Sequence, residues 1–226
     1  MSAKVLAFDV YGTLIDTHGV VTELERRLAG RATSAVEFSR RWRDKQLEYS
    51  FRRSLMGAYV PFSQCTREAL DFTDRVLQAG LSDVDKERLM GVYARLPAFP
   101  EAAGALARLE RAEVRCAAFS NGTAEAVEGL LDQAGIRGHF EAVVSVDEVK
   151  RFKPDPAVYA HLRRRLEVDP GDTWLISSNP FDVIGARHAG LHAAWVRRSP
   201  EAPFDPWGIE PDLTVTDLDT LAERLG

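Results

Sequence analysis

The chain has 226 residues, 45% hydrophobic and 28% charged, with a net charge of −5 and a pI near 5.6. That length suits a main core plus a smaller second unit, and the acidic balance argues against nucleic acid as a partner. No apolar run is long enough to span a bilayer, and the stretch before Phe8 is too short for a signal peptide, so neither a membrane nor secretion is expected.

Val5 to Phe8 reads as a buried parallel strand that delivers one carboxylate, Asp9, and breaks at Gly12. Burying a charge costs several kcal/mol unless it is paired, so the fold itself has no use for an acid there. Carboxyl ends of parallel strands are where open α/β sheets place ligand sites, and Asp9 is accordingly expected to be reactive. From Thr17 to Gly91 the chain reads as amphipathic helices, with helical spacing over Ala35–Arg53 and Thr66–Gln78 and a break at Gly57 to Phe62. From Pro97 onwards helices and strands alternate. Helix Glu101–Arg111 leads to strand Val114–Phe119, helix Ala124–Ala134 to strand Ala142–Val146, and helix Pro156–Leu166 to strand Thr173–Ile176. Helix Phe181–His188 then leads to strand Ala193–Val196, and a short strand Leu213–Val215 precedes a terminal helix from Asp217.

This alternation predicts an α/β fold, a Rossmann-like parallel sheet with helices on both faces. Residues 1–16 and 92–226 form the expected catalytic core, and 17–91 an inserted all-helical cap that leaves the sheet just after Asp9. Arg163-Arg164-Arg165 is read as a solvated helix face. Cys65 and Cys116 lack metal-ligand spacing and are expected to be reduced thiols of a cytoplasmic protein.

The core strands end in chemically useful groups. One runs into Ser120-Asn121-Gly122-Thr123, a loop after another carries Phe152-Lys153-Pro154-Asp155, and a third leads to Ser177-Ser178-Asn179-Pro180-Phe181-Asp182. Singly, each has an ordinary alternative: Ser120 and Ser177 as helix caps, Lys153 as a surface lysine, Asp182 as a partner of a helix dipole. Together they bring a carboxylate, a cation and hydroxyl and amide donors to one sheet edge, which points to a site.

In that order the four motifs, opening with Asp9-Val10-Tyr11-Gly12-Thr13-Leu14, resemble the haloacid dehalogenase superfamily, and its type II L-2-haloacid dehalogenases in particular. Trp42-Arg43-Asp44-Lys45-Gln46-Leu47-Glu48-Tyr49, and the stretch from Arg53 to Phe62, are similar to that subfamily's helical cap. Superfamily phosphatases typically carry a second Asp two positions after the nucleophile to protonate a leaving alkoxide. Here that place is Tyr11, and a halide leaving group needs no proton. Ser177, Ser178 and Asn179 stand where a metal-binding acid would be expected, so no metal and no other cofactor is expected.

The resemblance implies hydrolysis of a carbon–halide bond in a short-chain L-2-haloalkanoic acid, through an aspartyl ester on Asp9. Lys153 is expected to keep Asp9 ionised. Ser120 and the backbone N–H groups near Val10 and Asn121 are expected to hold the substrate carboxylate, and Arg43 to bind the departing halide. Thr13, Ser177, Asn179 and Asp182 would position Asp9, Lys153 and the hydrolytic water, with Tyr159 bracing Lys153. Tyr11, Leu47, Phe62 and Phe181 would form an apolar wall, or serve as plain core residues. The expected partners are a small 2-haloacid and its halide product, with a homodimer implied by the resemblance. Two residues depart from the subfamily pattern: Asp44, where a neutral polar side chain is usual, and Phe181, where a larger aromatic is common. The rival readings are a phosphomonoester phosphatase, a ring-opening hydrolase using the same nucleophile, and a catalytically idle binding protein.

Overall fold

The computed structural model describes residues 4–226. Its chain divides into two compact units, Met1–Asp16 with Ala98–Gly226, and Thr17–Pro97.

The first unit carries a six-stranded sheet in the order β3-β2-β1-β4-β5-β6, with every neighbouring pair parallel. Its strands are β1 (Val5–Asp9), β2 (Arg115–Ser120), β3 (Ala142–Ser145), β4 (Thr173–Ser177), β5 (His192–Val196) and β6 (Leu213–Val215). β1 is central because all of its residues are apolar up to Asp9, and Val5, Leu6, Ala7 and Phe8 are buried on both faces. Each large side chain buried this way contributes about 1.5–3 kcal/mol. Residues of β1 pair with β2 on one side and β4 on the other, with Asp9 opposite Phe119 and Phe8 opposite Ile176. The carboxyl ends Asp9, Ser120 and Ser177 therefore lie side by side. The strand does not continue beyond Asp9 because Gly12 takes a left-handed φ of 90° and its N–H turns back to the Ile15 carbonyl at 2.8 Å. The chain leaves this unit after Asp16 and returns at Ala98, where the Phe99 N–H donates to the Leu14 carbonyl at 2.9 Å.

The helices of the second unit are α1 (Val21–Arg27), α2 (Ala35–Met56), α3 (Phe62–Val76) and α4 (Asp83–Tyr93). Ser34 caps α2, Gly57 ends it at φ 66°, and Ser82 with Asp85 forms a capping box at the start of α4. α3 buries Phe62, Cys65, Thr66, Ala69, Leu70 and Thr73, a helical stripe. α2 starts in the same manner with Ala35, Phe38 and Trp42, but its buried stripe then turns polar at Gln46 and Ser50.

Back in the first unit come α5 (Ala102–Arg111), α6 (Ala124–Gln133), α7 (Pro156–Leu166), α8 (Pro180–His188) and α9 (Leu218–Leu225). α5 packs on α9 and α7 on α8, with helices covering both faces of the sheet as an α/β fold requires. Ser120 and Ser177 cap no helix. The N-caps are Thr123 for α6 and Asn179 for α8, and Asn179 makes no side-chain capping bond. Val146 falls outside β3 because the Ser145 side chain accepts from the Asp147 N–H and starts a short 3-10 turn. Cys65 and Cys116 are free and buried, and burial pushes their thiols up to about 11 and about 12. Among the described residues no helix is long and apolar enough to cross a membrane.

Candidate active site

Lys153 is the most heavily constrained charge in the first unit. It is 1% exposed, so it is no surface lysine. Its ammonium donates to Asp9 Oδ1 at 3.0 Å, Asp182 Oδ2 at 2.9 Å and the Phe119 carbonyl at 2.9 Å, which uses all three protons. The Phe119 ring lies 4.2 Å below the same nitrogen. Burial works against the charged ammonium; the attraction of Asp182 and Asp9 overcomes that and holds the Lys153 pKa above its ordinary value.

Asp9 lies at the carboxyl end of β1 with only 7% of its surface exposed. Its Oδ2 accepts from the Thr13 hydroxyl at 2.9 Å and from the Asn179 amide at 2.8 Å. Thr13 is aimed by its neighbours, since the Ser178 N–H donates to its Oγ1 at 2.8 Å while the Ser178 hydroxyl donates to the Gly12 carbonyl at 2.8 Å. Ser178 thus pins the loop after Asp9 to the end of β4, a task that its place beside a helix start did not reveal in the sequence.

Asp182 is fully buried at the start of α8, and its carboxyl pKa is raised, chiefly by burial, with the Lys153 cation opposing and the Asp9 charge adding. The Asp182 carboxylate stays paired with the ammonium it shares with Asp9. Tyr159 donates to Asp182 Oδ1 at 2.8 Å; burial and the Asp182 charge hold its phenol pKa well above the ordinary value, which keeps it a neutral donor. The sequence reading has Tyr159 bracing Lys153, and in the structure the two are linked through Asp182. Gly185 allows that contact, because a Cβ there would meet Pro154 Cβ at 2.7 Å and Tyr159 Cε2 at 2.9 Å.

Ser177 sits one layer further out. Its Oγ accepts from the Asn179 N–H at 3.1 Å, which places the Asn179 amide on Asp9. Ser120 is buried, and its Oγ accepts from the Gly122 N–H at 3.1 Å, leaving its own proton to donate. Asn121 Oδ1 accepts from the Lys153 N–H at 3.0 Å, and Ser145 donates to the Gly122 carbonyl at 2.6 Å, so the Ser120–Gly122 loop and the Lys153 segment are tied together. The Val10 carbonyl takes the N–H groups of Thr13, Leu14 and Ile15, closing the turn that follows Asp9. The Tyr11 ring borders Gly122, and half-buried Phe181 stands in the first turn of α8.

In the second unit, half-buried Arg43 and Leu47 lie one helical turn apart on α2, and Phe62 is buried at the start of α3. Arg43 Nη1 donates to Gln46 Oε1 at 2.6 Å. Asp44 is exposed.

Among the described residues no group of three His, Cys, Asp or Glu side chains gathers where it would hold a metal ion. The space between the Asp9 and Asp182 carboxylates is filled by an ammonium, and its other neighbours are amides and hydroxyls. A hard cation such as Mg²⁺ asks for about six oxygen ligands, so this donor set does not fit one.

A family model for haloacid dehalogenase-like hydrolases matches residues 3–190. The chain is 39% identical over 220 residues to the (S)-2-haloacid dehalogenase of Pseudomonas sp. (strain YL), covering 97% of this chain and 93% of the relative. It is 37% identical to haloacetate dehalogenase H-2 of Moraxella sp. (strain B), covering 98% and 97%. Its backbone matches the L-2-haloacid dehalogenase of Xanthobacter autotrophicus, solved with chloropropionic acid covalently bound, at a TM-score of 0.89, with 34% identity and 98% of each chain covered. By a family model that spans most of its length and relatives alike from end to end, the chain belongs to the haloacid dehalogenase-like hydrolases, and within them to the L-2-haloacid dehalogenases.

Proposed function

We propose that the protein hydrolyses short-chain L-2-haloalkanoic acids to 2-hydroxy acids with inversion, through an ester on Asp9. The observation that carries this reading is the buried Asp9 carboxylate held by one ammonium, one hydroxyl and one amide. Oδ2 takes two donors and Oδ1 only one, which leaves Oδ1 the open lone pair for attack. In the first step an Asp9 oxygen bonds to C2 of the substrate from the face opposite the halogen, and the C–X electron pair departs with the halide. In the second, water attacks Asp9 Cγ and the acyl–oxygen bond breaks. The water's proton passes by way of Asp182 to the leaving alkoxide, so Asp9 is regenerated with one oxygen from water.

Lys153 offsets the charge of both carboxylates throughout. Thr13 and Asn179 aim Asp9, with Ser177 holding Asn179 and Tyr159 holding Asp182. Ser120 and the N–H groups near Val10 and Asn121 take the substrate carboxylate. Residues 17–97 act as the cap, supplying Arg43 as the halide ligand; Tyr11, Leu47, Phe62 and Phe181 form the apolar wall. Asp44 is exposed, and it borders the same small cavity as Arg43. The reaction runs without metal, which the ammonium between Asp9 and Asp182 and the absence of a leaving-group acid at Tyr11 both support. The protein works as a cytoplasmic homodimer, a reading supported by its two unpaired thiols and its family.

Halide release from each enantiomer of 2-chloropropionate, measured with EDTA present, tests the reading. Chloride is expected from the L enantiomer and none from the D. Silence from both, or loss of activity on adding EDTA, would overturn it.

A further inference from the structure

Gln46 is a fully buried amide on α2, where apolar Phe38 and Trp42 precede it at the same phase and buried Ser50 follows. If the position served packing alone, an apolar side chain of like volume would be near neutral and would leave no polar group to satisfy. Each of its polar atoms instead has an assignment. Nε2 donates to Thr66 Oγ1, and Thr66 Oγ1 spends its own proton on the Phe62 carbonyl at 2.9 Å, so Thr66 must accept from Gln46. That fixes which way the amide faces. Oε1 is left to take Arg43 Nη1 at 2.6 Å and the Tyr93 hydroxyl at 3.0 Å. The amide is thereby anchored to α3 through Thr66 and to α4 through Tyr93, and Trp42 Nε1 adds a bond to the Thr66 carbonyl at 2.8 Å. Arg43, Trp42 and Tyr93 line a cavity of about 100 Å³ beside it.

We infer that Gln46 is the positioning residue for Arg43, an amide oxygen that orients the guanidinium without adding a negative charge to the place where an anion must bind. This rests on the reading of Arg43 as the halide ligand. A carboxylate at position 46 would grip the guanidinium more strongly, since charge-assisted bonds are about twice as strong as neutral ones, but it would compete with the halide for the same charge. A neutral acceptor at position 46 gives orientation and adds no competing charge.

The test uses the full enzyme with Gln46→Met, which removes the acceptor, and Gln46→Glu, which keeps it and adds charge, with Arg43→Ala as reference. Circular dichroism and melting curves identify any variant that fails to fold, and Gln46→Glu, nearly isosteric, stands in for Gln46→Met if that one does. The readouts are chloride product inhibition and the ratio of kcat/KM for 2-bromo- over 2-chloropropionate. Misplacing Arg43 should cost about 10–100-fold in kcat/KM on the chloro substrate. Chloride inhibition should weaken, and the bromo/chloro ratio should widen, because the poorer leaving group depends more on its ligand. A purely structural role for Gln46 would depress both substrates alike. If Arg43→Ala shifts chloride inhibition and the ratio while both Gln46 variants leave them unchanged, the inference is overturned. If Arg43→Ala itself shifts neither, the assignment of Arg43 falls and this one with it.

Discussion

The ammonium of Lys153, in the unit that carries the sheet, is held by two carboxylates, a carbonyl and an aromatic face, whereas the guanidinium of Arg43, in the helical unit, donates to an amide oxygen. The difference follows from what each cation has to do. Lys153 is a permanent counter-charge to groups that never leave, so full pairing is an advantage, and burial without pairing would be ruinous. On the proposed reading Arg43 accepts a halide and releases it, and the acceptor that Gln46 offers is a dipole that adds no competing charge.

The most severe way to break this arrangement is Lys153→Met, which leaves Asp9 and Asp182 buried with no cation between them. Removing one partner of a buried ion pair costs about 3–5 kcal/mol, and urea denaturation should show it. Turnover should fall by about 10³-fold or more, as when a preorganised electrostatic partner is lost. A variant that kept its stability and most of its activity would mean that Lys153 is not the counter-charge of the site.

Gly185→Ala attacks the same network from behind. The added methyl would meet Pro154 Cβ at 2.7 Å and press on Tyr159, which must then leave Asp182. Overpacking of this kind costs about 1–3 kcal/mol, and kcat should fall about 10–100-fold as the carboxylate moves. Because both changes act on one contact, Gly185→Ala with Tyr159→Phe should cost less than the sum of the two singles. Strict additivity would detach Gly185 from the network.

The pH profile sharpens the same picture. Asp182 is pushed up, mainly by burial, so activity should fall as pH drops through a value above the ordinary 3.8 of a free aspartate. Lys153 is raised because its two carboxylate partners outweigh burial, so the alkaline limb should lie above 10.5. The sign for stability agrees: a lysine with a raised folded pKa stabilises fully below its unfolded value and loses that contribution as pH rises through the folded one. An acid limb at or below 3.8 would contradict the assignment.

Much of this was legible in the sequence, for a reason that particular residues make plain. The apolar run ending in Asp9, and the hydroxyl and amide clusters ending later strands, are short-range patterns that burial and strand geometry make readable. What stayed hidden depends on three-dimensional approach. Phe119 read as one more apolar strand residue, yet its carbonyl and ring both hold Lys153. Gly185 is only one position within the expected helix Phe181–His188, yet its missing side chain is the space beside Tyr159. That Tyr159 meets Lys153 through Asp182 was not readable, because a sequence shows that groups converge, not in which order they bond. Gln46 did leave a signal, a polar residue at the buried phase of α2, but only the partners show its use.

The smallest effect is expected at the thiols. With Cys65 pushed up to about 11 and Cys116 to about 12 by burial, neither is a thiolate at neutral pH, and iodoacetamide should leave activity unchanged. Rapid inactivation would show that a thiol belongs to the site.

The central claim is that Asp9 is the nucleophile and carries the ester. A single turnover in ¹⁸O-water, with enzyme in excess over L-2-chloropropionate, followed by mass spectrometry of the peptide that contains Asp9, tests it most directly. The account predicts one ¹⁸O in the Asp9 carboxylate and none in the first-turnover 2-hydroxypropionate. Label appearing directly in the product, with Asp9 unlabelled, would mean that water attacks the substrate itself and would contradict the account.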